Sequence, residues 1–218
     1  MDMTPAVKRV YDSSRRKAQA AETRRQILKA AHDLFVSAGY GSTTMSEIAQ
    51  AAGVSVETVY GAFGSKLNLL KRVWDLTIGG DDDDIPFHER PQVLEMRAEK
   101  NLARRLEMYA SLIAHHLGPR TSPFVEAMRG AASSEPQARA MVEEMDRQRL
   151  EGMTLAAREM ASGEGLAVSE QEARDVLWAT NAGDLWRLLV QEQGWEPDRF
   201  ATWLAALWKR MLLTSRHQ

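Results

Sequence analysis

The sequence predicts an all-α fold of about nine helices. Apolar residues recur three, four and seven positions apart along most of the chain, as a helix with one face on a core requires. No segment sustains the alternation of apolar and polar residues that is typical of a half-buried strand. The stretch 6–85 contains no proline, so helices there are expected to end at glycines or capping residues.

Composition narrows the class of protein. With 218 residues and 44% apolar content, the chain can bury a sizeable core. It contains no cysteine, which excludes disulfides, thiolate metal sites and cysteine nucleophiles and fits a reducing compartment. We find no signal peptide and no run of 18 apolar residues, so we expect a cytoplasmic protein without a membrane partner.

Charge is distributed unevenly. Residues 1–78 carry 11 Lys and Arg against 7 Asp and Glu, whereas residues 79–218 carry 17 against 23. The asymmetry suggests a basic functional end, although charge can also scatter this much by chance.

Four helices are predicted in the N-terminal third. The first spans about 21–38 and ends at Gly39. The second opens with a capping box formed by Thr44 and Glu47 and closes before Gly53. Ser55 and Ser65 are the expected N-caps of the third helix and of a fourth at 66–78.

A break follows these helices. Residues 79–91, GGDDDDIPFHERP, combine glycines, prolines and four successive aspartates, which predicts a solvated acidic linker rather than a metal site. Beyond it we expect helices at about 97–117, 122–131, 135–162, 169–193 and 197–214. Two starts look like capping boxes, Ser134 with Gln137 and Ser169 with Glu172.

The second and third helices have the spacing of a helix-turn-helix. Each has about two turns, and a tight turn at 52–54 joins them. Ala49 is small enough for close packing, and Val54 and Val59 fill the angle between the helices. The alternative is a short connector within a helical bundle.

The run at residues 24–70, RRQILKAAHDLFVSAGYGSTTMSEIAQAAGVSVETVYGAFGSKLNLL, closely resembles the N-terminal domain of the TetR family of bacterial transcriptional regulators. The positions that match the family pattern include Gly39, Tyr40, Gly53, Phe63 and Lys66. It implies a three-helix DNA-binding domain closed by a fourth helix, followed by a helical domain for ligand binding and dimerisation.

The resemblance also implies DNA-contacting positions, which are Arg24, Thr43, Thr44, Ser55, Val56, Glu57, Thr58, Tyr60 and Lys66. Thr44 and Lys66 lie at helix starts, where free N–H groups and the helix dipole favour a phosphate. The Tyr60 hydroxyl suits a phosphate oxygen. Further basic residues at 15–17 form a tail that could follow the DNA backbone.

Two positions depart from the family pattern. Many relatives have glycine in place of Glu57 and histidine in place of Ala62, and the second change removes a phosphate contact. The Glu57 carboxylate could accept a hydrogen bond from a cytosine amino group, or it could interact only with the dipole of its own helix. The sequence leaves both interpretations open.

Enzymatic sites are absent from the sequence. None of the five histidines has a glutamate three positions before it, which excludes a ferritin-like di-iron site. His88 and Glu89 begin a zincin-like motif without its second histidine, and no phosphate loop or nucleophile elbow is present. We therefore expect no catalysis, metal or cofactor.

The C-terminal region is expected to dimerise and to hold an effector. Its last helices are apolar around more than one face, and the expected dimer residues are Val176, Leu185, Leu189, Phe200, Leu204, Leu207 and Met211. A pocket for a small apolar effector is expected among Arg105, Met108, Tyr109, Met128, Met145, Met153 and Trp178.

The predicted organisation has five parts: a basic arm (1–20), the helix-turn-helix domain (21–66), a connecting helix (67–78), the acidic linker (79–91) and the ligand-binding and dimerisation domain (92–218). The predicted function is a homodimeric repressor that a small molecule releases from a palindromic double-stranded operator. The alternative is a DNA-binding adaptor that recruits a protein partner without an effector.

Overall fold

The computed structural model describes residues 13–81 and 85–214, and within these ranges the all-α prediction is confirmed. The helices are α1 Ser13–Ser37, α2 Met45–Ala52, α3 Val56–Phe63, α4 Lys66–Gly79, α5 Pro91–Ala98, α6 Leu102–Leu112, α7 Gly118–Ala131, α8 Pro136–Ala161, α9 Glu170–Thr180, α10 Asp184–Trp186 and α11 Pro197–Leu212. Extended pairing in the described part is limited to an isolated bridge between Leu166 and Leu213. None of the described helices is long and apolar enough to cross a membrane.

Helix caps in the N-terminal third follow the prediction. Thr44 and Glu47 form the capping box of α2, and the side chains of Ser55 and Ser65 accept hydrogen bonds from the first turns of α3 and α4. Gly53 ends α2 in the left-handed conformation, with φ of 67°, which glycine adopts without steric cost.

The predicted start of α1 is wrong. The helix begins at Ser13 rather than at residue 21, because residues 13–20 are mostly good helix formers and contain no glycine or proline. The part of the predicted basic arm at 13–20 is therefore helical, while its residues 1–12 lie outside the described range.

The segment after α4 contains more structure than the predicted linker. Asp81 accepts a bidentate pair of hydrogen bonds, both of 2.8 Å, from the buried Arg90. A 3₁₀ turn follows at Phe87–Glu89, and α5 starts at Pro91. The predicted helix at 97–117 is interrupted between Ala98 and Leu102, where Asn101 caps α6. Residues 82–84 of the aspartate run lie outside the described ranges.

Two further helix predictions need correction. The Ser134–Gln137 capping box is not formed, since Glu135 is the N-cap residue of α8 and Pro136 opens the helix. The predicted helix at 169–193 is split into α9, α10 and a π-helical turn at Arg187–Glu192. It breaks because Gly183 has a φ of 80°, which a continuous right-handed helix excludes.

The buried residues form two clusters. The N-terminal cluster joins α1–α4 to α7 and the first half of α8 through Phe124, Met128, Met141 and Met145. The C-terminal cluster joins α5, α6, the second half of α8, α9 and α11 around Trp208. Helix α7 therefore packs directly against α1 and α4, the two helices that flank the helix-turn-helix.

Candidate nucleic-acid interface

The turn between α2 and α3 fixes the angle at which α3 leaves the domain. The N–H of Gly53 reaches the carbonyl oxygens of Ala49 and Gln50, and the N–H of Val54 donates to Ala49 at 3.0 Å. On the inner side of α3, Val59 is fully buried in the same cluster as α1 and α2. Burial of one side leaves the opposite side of α3 facing solvent.

The exposed side of α3 carries most of the predicted DNA-contacting residues. Ser55, Glu57, Thr58 and Tyr60 are exposed, and 49% of Tyr60 is accessible. Val56 is half-buried because it packs against the N-terminal cluster. Only the part of its side chain that faces solvent is therefore available to contact DNA. The four exposed residues define what we call the α3 face.

Two small residues extend this face. Gly61 and Ala62 are exposed in the last turn of α3, and a Cβ added to Gly61 would meet nothing within 4 Å. Nothing within the protein therefore requires glycine there. The sequence pattern marks Ala62 only as a lost phosphate contact and gives no sign of the open surface that the two residues create together.

The Glu57 carboxylate is engaged with its own helix start. Hydrogen bonds from the Glu57 backbone N–H and from the Ser55 hydroxyl lower the pKa of Glu57. This arrangement corresponds to the helix-dipole interpretation in the unbound protein. The side chain is nevertheless exposed, so the cytosine interpretation stays a prediction.

Lys66 begins α4, as the sequence predicts, but its ammonium group contacts other residues of the domain. Its ammonium group donates to the carbonyl oxygen of Tyr40, approaches that of Gly41 at 3.5 Å, and lies 4.1 Å from the centroid of the Tyr40 ring. Burial lowers the pKa of Lys66, while the nearby carboxylates of Glu135 and Glu47 act in the opposite direction. The residue thus ties the start of α4 to the α1–α2 connection. Its contact with a DNA phosphate stays a prediction.

Arg24 also serves the interior of the domain. Its Nη1 donates to the carbonyl oxygen of Ala62 at 3.2 Å, and the guanidinium lies 4.5 Å from the centroid of the Phe63 ring. Arg24 therefore caps the C-terminal end of α3, where cations interact favourably with the helix dipole. Through these two contacts Arg24 helps to fix the orientation of α3 within the domain.

Thr43 and Thr44 differ sharply in exposure. Only 2% of Thr43 is accessible, and its hydroxyl donates to the carbonyl oxygens of Gly39 and Leu34. The expectation that the Thr43 side chain contacts DNA is therefore wrong for this structure. Thr44 is exposed, but its hydroxyl already donates to Glu47 at 2.9 Å within the capping box.

Comparison with known proteins agrees with this geometry. Residues 27–73 match the family model described as bacterial regulatory proteins, tetR family. The chain is 43% identical over 61 residues to the regulator AcrR of Shigella flexneri, a match that covers 28% of each protein. It is 31% identical over 113 residues to the uncharacterized regulator TtgW of Pseudomonas putida, which covers 51% of this chain and 75% of TtgW. The chain belongs to the TetR family.

Solved structures share the fold across nearly the whole chain. NalD of Pseudomonas aeruginosa aligns with a TM-score of 0.64 at 18% identity, covering 89% of this chain and 98% of NalD. FadR of Bacillus halodurans aligns with a TM-score of 0.67 at 18% identity, covering 90% and 97%. The sequence matches to the curated relatives are shorter, spanning 28% of AcrR and 47% of SrpR. These curated relatives are transcriptional regulators of the TetR family, and none of them is an enzyme.

The predicted effector residues of this TetR-family chain do not line one pocket. Met128 and Met145 lie in the N-terminal cluster, whereas Tyr109 and Met153 lie in the C-terminal cluster. Arg105 donates to the backbone carbonyl oxygens of Glu99 and Arg97, Met108 is half-buried, and Trp178 packs under the Arg149 guanidinium at 4.6 Å. The structure therefore divides these residues between two clusters and does not bring them together around one cavity.

Tyr109 instead belongs to a buried polar group in the C-terminal cluster. Its hydroxyl accepts a hydrogen bond from Asn181 and donates to Met153 Sδ at 3.4 Å, and its ring stacks on Trp208 at 5.2 Å. Burial raises the pKa of Tyr109. The hydrogen bonds satisfy a phenol that would otherwise destabilise the core.

The predicted dimer residues divide into two groups. Phe200 and Leu204 are 1% and 0% exposed and fill the C-terminal core of the same chain, so these two predictions are wrong. Met211 is 46% exposed, and the remaining members, Val176, Leu185, Leu189 and Leu207, are half-buried.

A groove of about 480 Å³ lies between α9 and α11. It is lined by Ser169, Gln171, Glu172, Asp175, Val176, Ala179, Thr180 and Met211.

Proposed function

We propose that this TetR-family protein is a homodimeric repressor that binds a palindromic double-stranded operator through the α3 face and is released by a small-molecule effector. The observation that carries the proposal is the exposure of Ser55, Glu57, Thr58 and Tyr60 on a short helix whose other side is fully packed. A helix held this way is free to enter a major groove, where polar side chains reach base edges.

The interior roles of Arg24 and Lys66 support the proposal indirectly. One residue caps the end of α3 and the other fixes the start of α4, so the orientation of the α3 face is determined before DNA arrives. Such preorganisation lowers the entropic cost of association. Positive charge for the phosphates is available in the exposed first turns of α1, at Arg15 and Lys17.

Dimerisation is supported by the groove between α9 and α11. Its apolar residues are Val176, Ala179 and the 46% exposed Met211. They lie beside the polar Gln171, Glu172 and Asp175, and an exposed apolar patch with a polar rim is typical of a surface that a second copy covers. A two-fold symmetric pair presents two α3 faces, which requires an operator with two half-sites about 34 Å apart, or a multiple of that distance.

Repression is supported by relatives. BepR of Brucella suis, 42% identical over 59 residues, is named a transcriptional repressor, and NalD is described as the secondary repressor of a multidrug efflux pump. Release by an effector requires that the effector bind the DNA-free protein more tightly than the DNA complex.

Sedimentation of single-residue variants tests the dimer. Met211→Glu places a charge in the groove and should yield a folded monomer with weakened operator binding, while the unmodified protein is a dimer at micromolar concentration. Leu94→Glu is the matched control, because Leu94 is 48% exposed on α5 and does not line the groove. An unmodified protein that sediments as a monomer would overturn the dimer, and a Met211→Glu variant that stays dimeric would place the interface away from this groove.

A further inference from the structure

The turn between α7 and α8 touches the helix-turn-helix domain through Glu135. A Cβ added to Gly41, in the α1–α2 connection, would lie 2.0 Å from Oε1 of Glu135 and 2.7 Å from its Cδ. The carboxylate therefore occupies the space that a side chain at position 41 would need. Gly41 does not belong to the glycines with positive φ, so its backbone conformation does not call for glycine. The contact with Glu135 does, because it forms only where a Cβ is missing.

The Glu135 side chain is available for this contact because it does not cap its own helix. Glu135 is the N-cap residue of α8, yet its side chain forms no capping hydrogen bond with the first turn. The backbone around it is held in place. The N–H of Glu135 donates to the carbonyl oxygen of Ala131 at 2.9 Å, and Nε of Arg139 donates to that of Ala132 at 3.0 Å. The turn thus presents the carboxylate from a fixed base.

Charge favours the same contact. The Lys66 ammonium group donates to the carbonyl oxygen of Tyr40 and approaches that of Gly41 at 3.5 Å. Lys66 and Glu135 therefore meet the same short connection from opposite sides. Burial lowers the pKa of Lys66, and the carboxylates of Glu135 and Glu47 act against that shift because they attract the ammonium charge.

Other contacts between α7, α8 and the helix-turn-helix domain lie two turns farther along α4. Phe124 of α7 is fully buried, with its ring 6.2 Å from that of His32 on α1 and 5.7 Å from that of Trp74 on α4. Nε1 of Trp74 also donates to Gln148 of α8 at 3.1 Å. Trp74 is eight residues beyond the start of α4, which is roughly 12 Å along the helix. Contacts grouped there leave a tilt about that point, and the contact of Glu135 near the start of α4 opposes it.

We propose that Glu135 is a positioning residue, which by resting on Gly41 fixes the tilt of the helix-turn-helix domain and thereby sets the spacing of the two half-sites that the dimer reads. The inference rests on the proposed function, because spacing matters only where two α3 faces bind one duplex. One added base pair moves a half-site by roughly 3.4 Å and turns it by roughly 34° about the DNA axis. A domain held at one tilt follows such a change poorly, whereas a loosened domain follows it more easily.

Operators of different spacing test this role. The duplex that the unmodified protein selects is compared with duplexes that lack one central base pair or contain one more. The unmodified protein should prefer the selected spacing. Glu135→Ala should reduce that preference about fivefold, while affinity for a single half-site stays unchanged. Glu135→Gln keeps the shape of the side chain and should retain more of the preference than Glu135→Ala. Glu143→Ala, at an exposed carboxylate of α8, is the control and should retain all of it.

A second variant tests the contact from its other side. The methyl group of Gly41→Ala would overlap the Glu135 carboxylate and push this flexible side chain off the connection. Gly41→Ala should therefore reduce the spacing preference as Glu135→Ala does. The double variant should show no further loss, since both changes remove one contact. Thermal unfolding of each variant checks that the fold is kept.

Two outcomes would overturn the role of Glu135. One is a spacing preference that Glu135→Ala leaves unchanged although the operator is still bound. The other is a double variant in which the losses from Gly41→Ala and Glu135→Ala add. A protein that selects no duplex with two half-sites would refute the proposed function and this role with it, so operator binding by the unmodified protein distinguishes the two failures.

Discussion

Lys66 donates a hydrogen bond to the backbone carbonyl oxygen of Tyr40, and its ammonium group lies 4.1 Å from the centroid of the Tyr40 ring. The contact joins the first residue of α4 to the α1–α2 connection. Glu135 of the α7–α8 turn lies against the same connection, since a Cβ on Gly41 would come within 2.0 Å of its Oε1. The connection is thus held from the DNA-binding side and from the C-terminal side at once.

Lys66→Met should destabilise the protein and weaken binding to every duplex. Loss of a hydrogen bond from a charged donor to a carbonyl is expected to cost about 1.5–3 kcal/mol of unfolding free energy. Because the ammonium group acts within the domain, the slope of affinity against salt concentration should stay nearly constant. Chemical denaturation and binding isotherms at several salt concentrations measure both effects.

Lys29→Met is the control for that variant, since Lys29 is an exposed lysine of α1 that pairs with Asp33 four residues away. It should change stability little. Unchanged stability of Lys66→Met, together with a salt slope reduced by about one unit, would show that Lys66 contacts a phosphate instead.

Gly61→Ala should stabilise the free protein and weaken DNA binding. An added Cβ meets nothing within 4 Å, and alanine is favoured over glycine inside a helix by about 0.5–1 kcal/mol. The new methyl group lies beside Tyr60 on the surface proposed to approach DNA. Melting temperature and operator affinity should therefore move in opposite directions, and an affinity that is unchanged or higher would place this end of α3 away from DNA.

Capping and turn chemistry could be predicted from the sequence because it is local. The Thr44–Glu47 box, the caps at Ser55 and Ser65 and the left-handed Gly53 each depend on neighbouring residues alone. The exposed side of α3 followed from the same local pattern.

Residue roles that depend on distant contacts could not be predicted. Arg24 reaches the end of a helix 38 positions away, and Lys66 reaches a carbonyl 26 positions away. Phe200 and Leu204 are apolar residues of an amphipathic helix, and only the packed fold shows that they face their own core rather than a partner. Charge and polarity alone do not reveal whether a cation or an apolar side chain already has an intramolecular partner.

Gly118→Ala should destabilise the protein. A Cβ there would lie 2.4 Å from Cδ1 of Trp186, a buried ring whose Nε1 donates to the carbonyl oxygen of Ala114 at 3.0 Å. Overpacking against a fixed aromatic ring typically costs about 1–3 kcal/mol. Gly152→Ala, in an open position of α8, should instead stabilise the protein slightly. Thermal unfolding that places the two variants in the opposite order would contradict this packing.

Tyr109→Phe should change how stability depends on alkaline pH. Burial raises the pKa of Tyr109, so the neutral phenol is favoured in the folded state. Its contribution is fully present below the ordinary tyrosine pKa of about 10 and is lost as the pH rises above it, because the unfolded phenol ionises first. The variant should be about 1 kcal/mol less stable at pH 7 but should lose less stability above pH 10. Urea denaturation across this range measures the difference.

Tyr60→Phe, at an exposed position on α3, is the control for the alkaline measurement and should follow the unmodified protein. Parallel pH profiles for Tyr109→Phe and the unmodified protein would show that Tyr109 is not the group responsible.

Selection of bound duplexes from a random pool tests the central claim, that the α3 face reads DNA as part of a symmetric dimer. The unmodified protein should select a two-fold symmetric motif. A variant with both Thr58→Ala and Tyr60→Ala should bind that motif much more weakly while keeping its fold, since both side chains are exposed. A selected pool without a symmetric motif, or a double variant that binds it as tightly as the unmodified protein, would contradict the claim.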